Sequence, residues 1–192
     1  MTRIVFDIES GPLPLSHLES LMPEFKAAAN LKDPTKIAAS IAEKREGFIS
    51  DAALDATTGR VLAIGCFVGE NYCELHGENE ALVINGLWSI IRERQGGGSA
   101  FELVGFNSNQ FDLPFLFQRS VILGIRRPLG LRQGRYWASH VIDLRDEWNF
   151  GRREQKGSLD HVCRSLGLGR KTGSGADFSR LYAEKPEEAL AY

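Results

Sequence analysis

The sequence predicts an α/β fold, in which helices cover the faces of a mixed sheet. Residues 60–68 and 101–106 form near-continuous apolar runs, a composition typical of central strands that are buried on both faces. Residues 80–94, which lie between these runs, repeat apolar side chains at helical spacing. Because strands and helices alternate along the chain in this way, we expect one sheet with helices packed on its faces.

The composition is that of an ordinary globular protein. The chain has 192 residues, of which 43% are hydrophobic and 25% are charged, enough for one sizeable core. Cys66, Cys73 and Cys163 form no Cys-x-x-Cys pair, which argues against a disulfide framework or a zinc site. The N-terminal segment carries charged residues such as Arg3 where a signal peptide is apolar, and no apolar run approaches the thickness of a bilayer. We therefore expect a cytoplasmic protein with no membrane partner.

Charge is unevenly distributed along the chain, although the net charge is only −2. Residues 119–180 contain 13 basic and 6 acidic side chains, whereas the rest of the chain contains 10 basic and 19 acidic ones. Such a basic region is consistent with a surface for phosphates beside an acidic metal site. It is equally consistent with solvated helix faces, so charge alone leaves both interpretations open.

The first strand carries two carboxylates side by side. Alternate residues of a strand point to opposite faces, so Asp7 and Glu9 share one face. The apolar Ile4, Phe6 and Ile8 occupy the other face. Adjacent carboxylates raise each other's pKa, and a divalent cation such as Mg²⁺ removes this penalty. The pair therefore indicates either a metal site or the solvated end of an exposed strand.

A helical insertion is predicted after the first strand. The Gly-Pro-Leu-Pro sequence at residues 11–14 ends the strand. Residues 15–47 follow as two polar, alanine-rich helices, which Pro34 separates because proline cannot continue a helix. Their weak apolar faces predict an insertion at about residues 15–50. We expect residues 1–192 to form a single domain that carries this insertion.

The remaining elements follow from turn and cap signals. Proline is tolerated in the first turn of a helix, and serine is a favourable residue immediately before one. These signals predict a hairpin strand at residues 71–76, a polar loop at 107–110 and a helix from about Asp112 with Pro114 in its first turn. A short strand at 141–144 and a loop at 147–157 follow, and then a helix capped by Ser158. The last predicted elements are a glycine-rich loop at 169–175, a short helix from Phe178 and a last helix from Pro186.

Asp112 has two possible roles. At the opening of a helix, an aspartate is ordinarily an N-cap or a first-turn acid, which stabilises the helix by about 1 kcal/mol or less. In combination with Asp7 and Glu9, it is a candidate third carboxylate of one site.

Two motifs taken together resemble a known family. Asp7-Ile8-Glu9 on the first strand is followed, after a later strand, by Asn-x-x-x-Phe-Asp-x-Pro-Phe-Leu at residues 107–116. This combination resembles the DEDD superfamily of 3′–5′ exonucleases and, within it, the exonuclease domains of family-B DNA polymerases. The resemblance implies a ribonuclease-H-like fold. It extends through residues 141–144, 158–162 and 166–175.

The resemblance also implies the ligands of a two-metal site. Asp7, Glu9 and Asp112 match the family's metal-binding acids, and the ions would be Mg²⁺ or Mn²⁺. The family's third motif is Tyr-x-x-x-Asp, whose tyrosine orients the attacking water. Tyr192 matches that tyrosine as a fourth catalytic residue, and the aspartate would lie four residues further on, after the last residue of the sequence. Two interpretations follow: the C-terminal helix is truncated, which we favour, or the chain is a natural short form that lost this ligand. In both cases we expect impaired activity.

Hydrolysis of phosphodiester bonds at single-stranded 3′ ends is the implied reaction, with DNA favoured over RNA. Asn107 and Phe111 would line the substrate cleft, while Arg170 and Lys171 would contact backbone phosphates. Core packing is the alternative for Phe111, and a solvated loop is the alternative for the two basic residues. The alternative function is an inactive exonuclease-like module that binds nucleic acid or forms part of a larger polymerase or repair protein.

Overall fold

The computed structural model describes residues 2–97, 101–129, 131, 140–150, 152, 157–170 and 175–191. Two compact units make up the chain. The helical unit is Ser10–Arg60, and the sheet unit combines Met1–Glu9 with Val61–Tyr192.

A five-stranded mixed sheet forms the sheet unit, within the residues that the structure describes. The strand order is β3-β2-β1-β4-β5. Strands β1 and β4 are parallel, β4 and β5 are parallel, and β2 and β3 are antiparallel. This arrangement confirms the predicted mixed α/β sheet. The strands are β1 (Thr2–Pro12), β2 (Gly59–Val68), β3 (Asn71–His76), β4 (Phe101–Gly105) and β5 (Val141–Asp143).

The helices lie close to where the cap and periodicity signals predict them, with the differences described below. No helix among the described residues is long and apolar enough to cross a bilayer. The helices are α1 (Leu15–Leu21), α2 (Pro34–Asp51), α3 (Glu80–Gly96), α4 (Asp112–Ile122), α5 (Leu144–Asn149), α6 (Leu159–Ser165), α7 (Gly175–Glu184) and α8 (Pro186–Leu190).

Strand β1 shows the predicted alternation of faces. Ile4, Phe6 and Ile8 are buried, whereas Asp7 is exposed and Glu9 is partly exposed. The strand lies between β2 and β4 in the sheet, so its apolar face meets the core. This period of two places both carboxylates on the face opposite the buried side chains.

Helices α3 and α4 are joined by buried polar contacts. The Trp88 indole N–H donates to the Ser120 hydroxyl at 2.9 Å. An Arg119 guanidinium N–H donates to the Glu80 carboxylate at 2.7 Å, and the same carboxylate accepts from the backbone N–H of Val61 at 2.9 Å. Because Glu80 opens α3 and Val61 lies on β2, this network fixes α4 relative to the sheet.

A smaller apolar cluster places α7 and α8 on β2. Phe178 of α7 and Ala189 of α8 are buried with Leu62 and Ala63 of β2. The Phe178 ring also stacks on Tyr182, with ring centroids 5.5 Å apart. The end of α8 therefore packs against β2.

The helical unit contains two helices, as predicted, but α1 ends at Leu21, well before Pro34, and α2 continues beyond residue 47 to Asp51. Pro34 stands in the first turn of α2, and the Asp33 side chain accepts from the backbone N–H of Thr35 at 2.8 Å. Leu18 and Ala52 are among its buried residues. That this unit is an insertion into a single domain stays a prediction.

Two further segments differ from their prediction. Helix α7 begins at Gly175, earlier than the predicted start at Phe178. Residues 147–149, predicted as a loop, belong to α5, whose first residue directly follows β5. The reason is the Asp143 side chain, which accepts from the backbone N–H of Arg145 and caps the helix.

Candidate active site

Asp7 and Glu9 line one cleft of about 380 Å³ in the sheet unit. The cleft also contains Glu74 and Tyr72 of β3 and the predicted phosphate contact Arg170. Three carboxyl side chains and one guanidinium therefore face the same space. Ala189 and Leu190 of α8 complete part of its lining.

Asp112 is fixed to the backbone of β1. It opens α4 and is only 4% exposed. Its Oδ1 accepts from the backbone N–H of Ile8 at 3.3 Å, and Ile8 stands between Asp7 and Glu9. The hydrogen bond joins residues 104 positions apart in sequence and brings the third predicted carboxylate to the strand that carries the first two.

Burial is the main cause of an altered acidity at Asp112. Desolvation, followed by the negative charge of Asp7, raises the pKa of Asp112 to about 7. Asp143 contributes in the same direction, and the hydrogen bond from Ile8 opposes both. Without a cation nearby, this buried carboxyl therefore keeps its proton to a higher pH than a solvent-exposed aspartate does.

The chemistry of these donors suits a hard divalent cation, since carboxylate oxygens are the ligands that Mg²⁺ and Mn²⁺ prefer. Asp7 connects the set, because it interacts electrostatically with Asp112 and shares a cleft with Glu9. Within the residues that the structure describes, no three His, Cys, Asp or Glu side chains form a group that could hold a metal ion.

The turn between β4 and α4 is held by Asp143 and Arg145, to which the sequence analysis gave no role. Asn107 has a φ of 66°, in the left-handed region. Its backbone N–H and that of Asn109 both donate to the buried Asp143 carboxylate, each at 2.8 Å. The Asn107 side-chain oxygen accepts from an Arg145 guanidinium N–H at 2.9 Å. The sequence predicted a polar loop at residues 107–110, but the sequence signal for the role of Asp143 was no more than an aspartate at the end of a short strand.

Phe111 packs beside the start of α4. Its ring lies 5.6 Å from that of Phe115, which is buried, and Phe111 itself is partly exposed. This contact favours the core-packing alternative for Phe111. The proposed contacts of Lys171 and Tyr192 lie outside the described residues.

A second cleft also contains Asp7, and most of its other lining residues are apolar. It has a volume of about 330 Å³ and shares Asp7, Gly65 and Tyr72 with the first cleft. A β-carbon at Gly65 would lie 3.5 Å from the Tyr72 hydroxyl, so the ring rests on the glycine. The Tyr72 ring also contacts the ring of Phe67 of β2, with ring centroids 5.1 Å apart.

The sheet order and pairing define the class of protein: the fold is the ribonuclease-H-like α/β fold implied by the sequence motifs. The chain belongs to the family described as predicted 3′–5′ exonucleases related to the exonuclease domain of PolB, and the match covers residues 52–191. Asp112 and Asp143 lie inside the matched range, whereas Asp7 and Glu9 precede it. Among curated proteins, none matches the chain.

A solved structure has the same fold. The chain is similar to the family B DNA polymerase from the hyperthermophilic archaeon Pyrobaculum calidifontis, with 18% sequence identity and a TM-score of 0.59. The similarity covers 100% of this chain, β1 included, and 22% of the polymerase chain. The chain therefore spans less than a quarter of the length of that polymerase, and at this identity the similarity concerns the fold alone.

Proposed function

We propose that the chain carries the carboxylate site of a metal-dependent 3′–5′ exonuclease, which hydrolyses phosphodiester bonds at single-stranded 3′ ends. The observation that carries this proposal is the position of Asp112. It is buried, it accepts a hydrogen bond from β1 between Asp7 and Glu9, and it interacts electrostatically with Asp7. Membership of a PolB-related exonuclease family supports the same reaction class.

Asp7, Glu9 and Asp112 would hold Mg²⁺ or Mn²⁺. Such ions, when bound, lower the pKa of water and stabilise the leaving oxygen of a phosphodiester. The Ile8 N–H orients one oxygen of Asp112. Burial and the charge of Asp7 raise the pKa of this carboxyl, so the positive charge of a cation would be needed to hold it as a carboxylate ligand. Tyr192 would orient the attacking water.

Substrate contacts follow from the position of the first cleft. Arg170 shares that cleft with Asp7 and Glu9, and its charge suits a backbone phosphate next to the reacting bond. Lys171, Asn107 and Phe111 remain proposed contacts. We favour single-stranded DNA over RNA, a role within a polymerase or repair assembly, and a cytoplasmic location.

The second candidate is an inactive exonuclease-like module that binds nucleic acid. The observation that favours it is the lack of a metal-holding group of three among the described residues. In this case the carboxylates of β1 and α4 bind ions too weakly for turnover, while Arg170 and the basic region still bind phosphates.

Digestion of labelled oligonucleotides distinguishes the two candidates. A single-stranded DNA oligonucleotide labelled at its 3′ or 5′ end is incubated with the chain and Mn²⁺, and with a longer version that restores an aspartate four residues after Tyr192. An exonuclease acting from the 3′ end releases the 3′ label at the first cut and shortens the 5′-labelled strand in steps. We expect the longer chain, which carries the complete Tyr-x-x-x-Asp motif, to digest the strand from its 3′ end, and the 192-residue chain is assayed beside it.

Variants make this result specific to the site. Asp7→Asn and Asp112→Asn in the longer chain are expected to lower the rate by at least roughly 100-fold, because each removes a charge that stabilises the reacting phosphate through the ions. Asp33→Asn, at the cap of α2, is the matched control and should digest at the wild-type rate. A longer chain that binds the oligonucleotide but leaves it intact would favour the inactive module.

A further inference from the structure

We propose that Asp143 is a positioning residue, whose carboxylate fixes the turn that sets Asp112 against β1. This inference rests on the proposed function for its catalytic consequence, but its geometry stands independently. Asp143 ends β5, is 3% exposed, and lies beside Gly105 of β4 in the parallel register. Asp143 therefore lies beside the point where β4 ends and the turn to α4 begins.

The Asp143 carboxylate accepts three backbone N–H groups. Oδ1 accepts from Asn107 at 2.8 Å and from Arg145 at 2.9 Å, and Oδ2 accepts from Asn109 at 2.8 Å. Hydrogen bonds to a buried charged group are shorter and stronger than neutral ones. Two of the three donors belong to the turn and one belongs to α5, so the carboxylate joins the two segments.

The turn transmits this constraint to Asp112 through its own backbone. The carbonyl of Asn107 accepts from the N–H groups of Gln110 and Phe111, each at 3.1 Å, and that of Ser108 accepts from Leu113 at 3.0 Å. Asp112 stands between the last two donors. These hydrogen bonds connect the Asp143 carboxylate to the backbone on both sides of Asp112, through a turn in which Asn107 has a left-handed conformation.

Side chains of α5 reinforce the same turn. An Arg145 guanidinium N–H donates to the Asn107 side-chain oxygen at 2.9 Å, and the Asn109 side-chain amide donates to Asp146 at 3.1 Å. The two asparagine side chains are thus held by the helix that Asp143 caps. This gives Asn107 a structural task in addition to its proposed contact with substrate.

A capping role for α5 alone would need only one of these hydrogen bonds. Asparagine and serine both serve as N-caps, so Asp143→Asn and Asp143→Ser keep an acceptor for the Arg145 N–H. Neither can accept from Asn107 and Asn109 at the same time as a carboxylate does. An amide group at this position would also turn a donor toward one of the backbone N–H groups. The two variants therefore separate capping from positioning.

The first measurement is amide hydrogen exchange by NMR on the 192-residue chain. The Ile8 N–H donates to Asp112, so its exchange rate reports the position of that carboxyl. The Val61 N–H, which donates to Glu80 elsewhere in the sheet, serves as the reference for global stability. In both variants we expect Ile8 to exchange at least about tenfold faster relative to Val61. Unchanged exchange at Ile8 would overturn the proposal.

The second measurement is Mn²⁺ affinity by electron paramagnetic resonance, at a temperature where each variant is fully folded. Loss of a group that orients a metal ligand weakens affinity by roughly 10- to 100-fold, and we expect this for both variants. Faster exchange at Ile8 with wild-type Mn²⁺ affinity would show that the turn does not position the ligand. In the longer chain, kcat should fall while KM for the oligonucleotide stays the same.

Failure of the proposed function has a different signature. If wild-type and Asp7→Asn chains bind Mn²⁺ equally weakly, the metal site itself is absent and the exonuclease proposal fails. The exchange rate of Ile8 in the Asp143 variants still decides, in that case, whether Asp143 holds the turn.

Discussion

Burial makes it energetically costly for Asp112 to carry a negative charge in the folded chain. Its burial and the neighbouring Asp7 raise its pKa to about 7, far above the value of an aspartate in an unfolded chain, about 3.9. The folded state therefore favours the protonated form. Between about pH 4 and pH 7, folding takes up a proton, so stability falls as the pH rises through this range.

Asp112→Asn should remove this pH dependence in the metal-free chain. Asparagine keeps an oxygen for the Ile8 N–H but cannot carry the charge, so the variant should be more stable than the wild type at pH 8. The difference should be a few kcal/mol at most and should shrink toward zero near pH 4. Urea unfolding in the presence of a chelator, at pH 4, 6 and 8, measures it.

The control for this experiment is Asp33→Asn. Asp33 caps α2 from an exposed position, and asparagine caps a helix equally well, so this substitution should have little effect on stability. Addition of Mn²⁺ should stabilise the wild type more than Asp112→Asn. Equal stability of the wild type and Asp112→Asn at pH 8 would contradict the assigned pKa.

Ser108 and Gly105 give two alanine substitutions of opposite sign in the same turn. Ser108 is 0% exposed, and its hydroxyl has no hydrogen-bond partner within the part of the chain that the structure describes. Removal of an unpaired buried hydroxyl is favourable, so Ser108→Ala should leave stability unchanged or raise it by up to about 1 kcal/mol. Urea unfolding of the variant measures this directly.

Gly105→Ala should destabilise the chain. A β-carbon at Gly105 would lie 2.7 Å from the β-carbon of Ser108, closer than two such atoms can approach. Neither atom is the end of a flexible side chain, so the turn itself must move, at a cost of about 1–3 kcal/mol. If both substitutions lowered stability equally, the close approach of these two residues would not be the determining factor.

At the scale of the elements, β1 and the start of α4 were predictable from sequence because both depend on local patterns. The alternation of Ile4, Phe6 and Ile8 with Asp7 and Glu9 needs only the period of a strand. The hydrogen bond from Ile8 to Asp112 was not predictable, because it depends on how β1, β4 and α4 pack. Asp143 was missed for the same reason, since the β4–β5 register decides what it faces.

The buried pair of Glu80 and Arg119 tests how firmly α4 is held. Arg119→Met leaves the Glu80 carboxylate buried without its cation, and such a loss costs about 3–5 kcal/mol. Glu80→Gln added to this variant removes the uncompensated charge and keeps an oxygen for the Val61 N–H. We expect the double variant to be more stable than Arg119→Met alone in urea unfolding.

A double variant no more stable than Arg119→Met would show that the packing of the long arginine side chain matters more than its charge.

Trp88→Phe, on α3, is a useful comparison for the contact between α3 and α4. It removes the hydrogen bond to Ser120 but keeps an aromatic ring against Phe117, so its effect should be smaller than that of Arg119→Met.

At the scale of the whole molecule, the two comparisons are complementary. The family match covers residues 52–191 and so includes Asp112 but not β1, while the structural similarity to the polymerase extends over the entire chain. The fold class was predictable because two motifs in the correct order imply it. The water-orienting role of Tyr192 stays a prediction, because this residue lies outside the described part of the chain.

The distribution of charge leads to a prediction about substrate binding. Residues 119–180 carry 13 basic and 6 acidic side chains, and Arg170 brings part of this charge into the cleft of Asp7 and Glu9. For single-stranded nucleic acid, each phosphate contact contributes about −0.7 to the slope of log affinity against log salt concentration. Arg170→Ala should therefore make this slope shallower by about 0.7. Fluorescence anisotropy with a labelled single-stranded DNA, at 50 to 300 mM salt and with a chelator present, is the measurement.

Arg180→Ala is the matched control for this prediction. Arg180 belongs to the same basic region, but its guanidinium already lies 3.6 Å from Asp177 and 3.7 Å from Glu184 on α7. Since those acids neutralise it, its removal should change the salt slope much less than the removal of Arg170. Equal slopes for the two variants would mean that binding follows net charge, and the cleft beside Asp7 and Glu9 would then have no special part in holding phosphate.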